Sequence, residues 1–172
     1  MDPRYPVGKF QRPKEITAQD RQRFITEIAD APANLRAAVS GLTEEQLDTP
    51  YRDGGWTVRQ VVHHLPDSHA NAYIRFKLAL TESEPTIKPY DEKLWAELMD
   101  SKAPIYASLQ LLESLHCRWV AVLNSMKPED FARTFRHPEY GVVSLDRNLA
   151  MYAWHSRHHV AHIMELRKAK GW

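Results

Sequence analysis

Apolar residues recur at helical spacing in four long stretches of the chain, with polar residues at the positions between them. In the first stretch, Phe24, Ile25 and Ile28 form such an apolar stripe. The pattern predicts helices over residues 18–40, 58–80, 102–126 and 145–169. Four long helices in a chain of this length are typical of a helical bundle.

Each predicted helix follows a residue whose side chain can cap its first turn: Thr17, Thr57, Ser101 and Ser144. Proline residues fall inside two of the helices. Pro32 is expected to kink or split the first helix, and Pro66 to kink the second.

The segments between the helices complete the predicted architecture. Early prolines make the first fifteen or so residues an extended N-terminal arm. A long polar link after the second helix allows a crossover to the third, and short β-prone pieces near residue 140 allow a small hairpin. The fold prediction is therefore all-α: a four-helix bundle, residues 1–172 as a single domain, with a long crossover between helices 2 and 3.

Composition excludes several classes of function. Lys and Arg total 23 against 22 for Asp and Glu, which argues against a nucleic-acid binder that neutralises phosphates. Cys117 is the single cysteine, so no intrachain disulfide forms. No signal-peptide pattern and no membrane-length apolar run are present in the sequence. We expect a cytoplasmic protein that binds neither nucleic acid nor membrane.

The predicted last helix contains "WHSRHHVAHIMEL", with four histidines in eight positions. Residues four apart on a helix lie within about 40° of each other, so their side chains can bind one metal ion. Two pairs meet this condition, His155 with His159 and His158 with His162. Spacing alone leaves both registers open.

The predicted second helix carries a polar stripe of His64, Ser68, Asn71 and Arg75, with Asp67 one step to the side. If the stripe faces solvent, it needs no partners. If it faces the bundle interior, it needs them, because each unpaired buried polar group costs about 1–3 kcal/mol. A metal ion would supply such a partner, whereas core histidines hydrogen-bonded to neighbours are the alternative.

Three segments resemble the DinB superfamily, and within it the YfiT-like metal-dependent hydrolases: "YRDGGWTVRQVVHHLPDSHANAYIRFKLALTE", "KPYDEKLW" and "YAWHSRHHVAHIMEL". The resemblance implies an up-down-down-up bundle with a three-histidine metal site. The family's first ligand comes eight residues after a tryptophan, as His64 does after Trp56. The family's other two metal ligands lie in a pattern H-x-x-H-x-x-x-H-x-x-Q near the C-terminus.

In this chain that pattern starts at His155 and ends at Glu165, where a glutamate replaces the family's glutamine. The resemblance thus implies His64, His158 and His162 as ligands, with His155 as a neighbour. It implies one divalent ion per chain, zinc or nickel, of which we expect zinc.

Other polar residues near these positions are candidates for the surroundings of the site. Asp67 and Glu165 each follow a predicted ligand by three residues and are expected to orient a ring or a water, unless they are solvated. Asn71 and Arg75 are expected to line a pocket, where Arg75 suits a carboxylate; a salt bridge to the crossover is the alternative for Arg75.

The remaining candidates receive simpler interpretations. We expect His63, His69 and His159 to point away from the site, and His116 to have no matching partner. Cys117 is expected to be a core residue and His137 to be solvated. Tyr90 and Trp95, on the crossover, are expected to cover the metal site.

Three protein nitrogens leave a coordination position open, which is typical of catalytic metal sites. The predicted function is therefore a metal-dependent hydrolase that activates water against a small-molecule substrate. Some proteins of this family resemble S-transferases that use a low-molecular-weight thiol such as bacillithiol, so thiol transfer is the first alternative. The second is a non-catalytic, metal-stabilised dimeric binding module. A homodimer is expected from the resemblance.

Overall fold

The structure is a computed structural model that describes residues 2–172; Met1, the first residue of the predicted arm and domain, lies outside the described residues. The α-helices in this part of the chain are α1 (Ala18–Val39), α2 (Glu44–Leu47), α3 (Val58–Thr81), α4 (Glu92–Trp95), α5 (Tyr106–Ser125) and α6 (Leu145–Lys170). Two strands, β1 (Thr134–His137) and β2 (Gly141–Ser144), pair antiparallel and confirm the predicted hairpin. Within residues 2–172, no helix is long and apolar enough to cross a membrane.

Helices α1 and α6 run in the same direction. The Arg21 guanidinium donates two hydrogen bonds to Asp146 near the start of both helices, at 2.7 and 2.6 Å. Near the end of both, Arg167 Nη1 donates to the carbonyl oxygen of Ala38 at 2.8 Å. The two contacts join the N-terminal ends of α1 and α6 and, separately, their C-terminal ends, so the helices are parallel.

Helices α3 and α5 are also parallel to each other. His63 Nδ1 contacts Ser108 Oγ near the start of α5 at 2.7 Å. Further along both helices, His69 Nδ1 contacts His116 Nε2 at 2.8 Å. Helix α3 is antiparallel to α6, because His64 meets His155 whereas the later Ser68 meets the earlier Tyr152. The result is the predicted up-down-down-up four-helix bundle, with residues 82–105 as the crossover.

Three of the four predicted N-caps are confirmed, at Thr17, Thr57 and Ser144. The prediction of Ser101 as a cap is wrong: α5 starts at Tyr106, and the Ser101 hydroxyl donates to the carbonyl oxygen of Trp95 at 3.2 Å. Pro104 explains the late start, because the residue before a proline is disfavoured in helical geometry. Ala103 is accordingly extended, with φ −74° and ψ 167°.

Helix α1 continues through Pro32, so of the two outcomes expected there the split is excluded, and α3 continues through Pro66, which is buried. The kinks expected at these two prolines stay predictions. Cys117 was expected in the core, but it lies on the outer face of α5 and is exposed.

The apolar core is divided into two clusters along the bundle axis. One contains Phe76, Trp119 and Leu149, and the other contains Leu35, Leu112 and Ile163. His69 on α3, His116 on α5 and the four histidines of α6 lie at sequence positions between the members of the two clusters, and His64 meets His155 of this group. The middle of the bundle is therefore a polar layer between two apolar ones.

Thr57→Ala tests the cap that begins α3, the helix that carries His64. Thr57 Oγ1 accepts from the Gln60 amide at 3.1 Å, and Gln60 Oε1 accepts from the Thr57 amide at 3.0 Å. We expect the free energy of unfolding to fall by about 1 kcal/mol. Thr57→Ser, which keeps the hydroxyl, should stay close to wild type. Urea denaturation of the metal-free protein measures both, and equal stability of Thr57→Ala and wild type would contradict the assigned role.

Candidate metal centre

Three histidines in the polar layer bring ring nitrogens close enough together to hold one metal ion. One ligand atom from each of His64, His155 and His159 lies within 4.8 Å of the other two. His64 Nε2 and His155 Nε2 are 3.3 Å apart. Two imidazoles on a tetrahedral zinc ion, with Zn–N bonds of about 2.0–2.1 Å, also place their nitrogens about 3.3 Å apart. We call these three residues the histidine trio. Its members all offer imidazole nitrogens, His64 and His155 have the spacing of zinc ligands, and a ring nitrogen of His159 lies within 4.8 Å of both.

A chain of hydrogen bonds fixes the orientation of His155. The Ile28 carbonyl oxygen accepts from His116 Nδ1 at 2.6 Å, His116 Nε2 accepts from His69 Nδ1 at 2.8 Å, and His69 Nε2 accepts from His155 Nδ1 at 3.1 Å. A carbonyl oxygen can only accept, so each neutral ring in the chain carries its proton on Nδ1. This series of hydrogen bonds leaves the lone pair of His155 on Nε2, the nitrogen that faces His64.

Burial keeps these rings neutral. It lowers the pKa of His64 and of His116 to about 4, and the pKa values of His69, His155 and His159 well below the ordinary range. Desolvation is the largest cause in each case, because it disfavours the charged form. Neutral rings at physiological pH keep lone pairs free for a metal ion.

His159 has a buried ring nitrogen without a partner in the described part of the chain, a state that a bound ligand would relieve. It is 8% exposed, and its Nδ1 is buried without a hydrogen-bond partner among residues 2–172. Trp56 packs over the trio from outside, with ring centroids 4.7 Å from His64 and 6.4 Å from His159. The indole thus shields this side of the trio from water.

His158 and His162, the ligands implied by the resemblance, lie on an adjacent strip of α6. The ring of His158 stacks on Trp154, with centroids 4.4 Å apart, and the ring of His162 stacks on Tyr51 at 4.0 Å. His162 Nε2 donates to the carbonyl oxygen of Arg4 at 3.3 Å, so the N-terminal arm covers this strip.

The structure therefore groups His64 with His155 and His159 within the 4.8 Å limit, and not with the predicted pair. The Nδ1 atoms of His158 and His162 are themselves buried without a partner in the described chain. The predicted ligand set stays a prediction, and an experiment below separates it from the trio.

Sequence reasoning missed three residues of the polar layer. His159 was expected to point away, but its spacing to His155 was the available signal. His69 and His116 are 0% and 2% exposed and bind each other, although each was expected to have no role in the site. No spacing rule connects them, because they lie on different helices that only the parallel packing of α3 and α5 brings together.

The other predicted site residues take different positions. Asp67 is half-buried, and burial, together with repulsion by Asp100, raises its pKa to about 6. Asn71 Nδ2 donates to the carbonyl oxygen of Asp67 at 2.9 Å, so it binds its own helix. Glu165 is exposed. Of the candidate pocket residues, Arg75 and His155 line a common cavity.

That cavity has a volume of about 720 Å³ and lies between α3, the crossover, the hairpin and α6. Tyr90 of the crossover lines it, and Trp95 packs on Tyr90 with ring centroids 4.5 Å apart. That these two residues cover the metal site stays a prediction. His137 lines the cavity at 6% exposure, so the expectation of a solvated His137 is wrong. His155 connects the cavity to the trio.

Comparison with known proteins agrees with this architecture. The model of the DinB superfamily matches residues 27–163. The chain belongs to the DinB superfamily. A protein of Oceanobacillus iheyensis is 56% identical over 100% of both chains, and one of Bacillus cereus is 57% identical over 99% of both. Both are named "Putative metal-dependent hydrolase".

Solved structures show the same fold. YfiT from Bacillus subtilis, described as a probable metal-dependent hydrolase with an unusual four-helix bundle topology, superposes with a TM-score of 0.97. It is 50% identical, and the match covers 100% of this chain and 99% of that one. The four-helix bundle protein TT2238 has a TM-score of 0.59 at 19% identity, over 84% of this chain and 98% of that one, and shows the fold alone. The YfiT-like resemblance read from the sequence is thus confirmed.

The buried neutral histidines predict that the metal-free protein loses stability in mild acid. In the unfolded chain a histidine has a pKa of about 6.5, so between there and pH 4 the unfolded state binds more protons than the folded state. The free energy of unfolding should therefore be greatest above pH 6.5 and fall as pH decreases, by about 1.4 kcal/mol per pH unit for each such ring.

Urea denaturation of the metal-free protein between pH 7 and pH 5 measures this slope. His116→Gln removes one of the rings, while its amide oxygen can still accept from His69, so its slope should be shallower by about one proton's contribution. Stability that does not change over this pH range would contradict the neutral state assigned to the histidines.

Proposed function

We propose that the protein is a hydrolase of a small molecule that holds one divalent metal ion on His64, His155 and His159. The observation that carries this proposal is the convergence of three neutral imidazole nitrogens within 4.8 Å, with His155 also lining the cavity. Three nitrogen ligands suit zinc, which we favour, and also nickel. A divalent ion held this way supplies Lewis acidity for activating water or polarising a carbonyl.

The protein's own residues prepare the site for that chemistry. His69 and His116 hold His155 in one tautomer, so no proton has to leave Nε2 before an ion binds. Trp56 shields the trio on one side, and the cavity opens beside His155 on another. A substrate therefore reaches the site from the cavity.

Tyr152 is positioned to donate a hydrogen bond to the substrate. It lines the cavity, and its ring centroid is 5.4 Å from that of His155. Ser68 Oγ donates to the Tyr152 hydroxyl oxygen at 3.4 Å, so the phenolic proton is free for another acceptor. Burial raises the pKa of Tyr152, so the hydroxyl stays protonated. In the proposed reaction this proton stabilises negative charge that develops on a substrate oxygen.

Two other functions use the same residues. In thiol S-transfer, the ion would hold a low-molecular-weight thiol as the thiolate; the exposed Cys117 does not line the cavity, so the thiol would come from a small molecule such as bacillithiol. In a non-catalytic binding module, the ion would stabilise the polar layer between the two apolar clusters. A homodimer and a cytoplasmic location accompany each of these proposals.

Replacing single histidines separates the trio from the ligand set implied by the resemblance. We expect His64→Gln, His155→Gln and His159→Gln to lose zinc on dialysis, because each removes one of three ligands. His158→Gln and His162→Gln are matched controls from the same helix and should retain about one zinc per chain. Elemental analysis gives the metal content. If His162→Gln loses zinc while His159→Gln retains it, the trio is the wrong set.

Reaction assays separate the three functions. Zinc-loaded protein should cleave members of a panel of small esters and amides, and the metal-free protein should not. Incubation with a thiol and a chlorinated aromatic electrophile tests for transfer, and metal-dependent thioether formation without hydrolysis would replace the proposed function. If His159→Gln loses both zinc and the folded state, and neither assay shows turnover, the ion is structural.

A further inference from the structure

The cavity beside the trio carries two arginines that have no acceptor among the described residues. Arg75 of α3 and Arg147 of α6 line it, and both are half-buried. Within residues 2–172, neither guanidinium donates a hydrogen bond or lies within 4.0 Å of a carboxylate. By contrast, the buried Arg59 is paired with both Asp48 and Glu44. Two partly desolvated guanidinium groups without partners in this part of the chain, both lining one cavity, favour the binding of an anion there.

Asn148 gives a second, independent indication of a ligand. It lines the same cavity one residue after Arg147 and is 5% exposed. Its side-chain nitrogen is buried and has no hydrogen-bond partner in the part of the chain that the structure describes. Leaving such a donor unpaired costs about 1–3 kcal/mol, so an oxygen acceptor is missing at this wall.

Acidic side chains also line the cavity, but they do not neutralise the arginines. Asp91 is occupied as the cap of α4, where its Oδ1 accepts from the amides of Lys93 and Leu94 at 3.0 Å. Glu92, whose pKa is raised by burial, lies at no salt-bridge distance from either arginine. Glu139 also lies on the lining, at no salt-bridge distance from either arginine. The positive charge at Arg75 and Arg147 is therefore available to a ligand.

The geometry points to a binding site for a small carboxylate-bearing molecule, with its carboxylate on Arg75, Arg147 and Asn148. Guanidinium groups bind carboxylates through paired hydrogen bonds, and an amide N–H completes the set of donors. Because the cavity extends to His155, the opposite end of such a molecule lies beside the trio. This inference rests on the proposed function for its identification as a substrate site, whereas the binding itself does not require the metal.

The test uses the metal-free full chain, so that carboxylates cannot bind to an ion. Succinate and its neutral diamide, succinamide, serve as probes of matched shape at constant ionic strength. We expect succinate to bind saturably, at least about tenfold tighter than succinamide, since charged hydrogen bonds are roughly twice as strong as neutral ones. Titration calorimetry gives the affinities, and amide chemical shifts should change at residues 75 and 147–148.

Arginine variants locate the site. Arg75→Gln and Arg147→Gln should each weaken succinate binding by about tenfold and leave succinamide binding unchanged. Arg12→Gln removes the same charge from an exposed position on the N-terminal arm and should bind like wild type. Arg75→Lys keeps the charge without the paired donors and should lie between wild type and Arg75→Gln, which guards against a folding defect in the glutamine variants.

Three results would overturn the inference: equal binding of succinate and succinamide, equal weakening by Arg12→Gln and Arg75→Gln, or tighter binding of inorganic phosphate than of succinate. Failure of the proposed function gives a different result. In that case succinate still binds the metal-free chain and depends on Arg75, but the zinc-loaded chain hydrolyses nothing.

Discussion

The structure depends on keeping a layer of histidines uncharged in the middle of the bundle. Apolar clusters lie on both sides of this layer, so a charged ring there would be costly and a ring nitrogen without a partner is unfavourable. The Ile28 carbonyl sets the direction of the hydrogen bonds, because it can only accept. His116 and His69 each donate from Nδ1 and accept at Nε2, so His155 also donates from Nδ1. The layer thus ends in a lone pair at His155 Nε2, where the next group is the ring of His64.

Topology makes this arrangement available. The crossover lets α3 and α5 run in parallel, which brings His69 to His116, and the antiparallel pairing of α3 with α6 brings His64 to His155. Tyr90 of the crossover and residues of the β1–β2 hairpin then form the walls of the cavity beside His155. The same connections that give the bundle its helix order thus also form this cavity.

Local sequence signals predicted the fold well where the cause is local. Capping side chains located the starts of α1, α3 and α6, and the hairpin was predicted from β-prone residues around a turn. The prediction that Ser101 caps α5 is wrong because Pro104 determines where α5 starts. Two registers of the histidine pairs on α6 are equivalent by spacing. Only packing places His155 and His159 beside His64 of α3 and His162 beside Arg4 of the N-terminal arm.

The most direct test of the account is a crystal structure of the zinc-loaded protein, with anomalous diffraction measured on both sides of the zinc absorption edge. We expect one strong anomalous peak per chain, about 2.0–2.1 Å from the Nε2 atoms of His64 and His155 and from one ring nitrogen of His159. A peak bound instead by His158 and His162, or no peak within the polar layer, would contradict it.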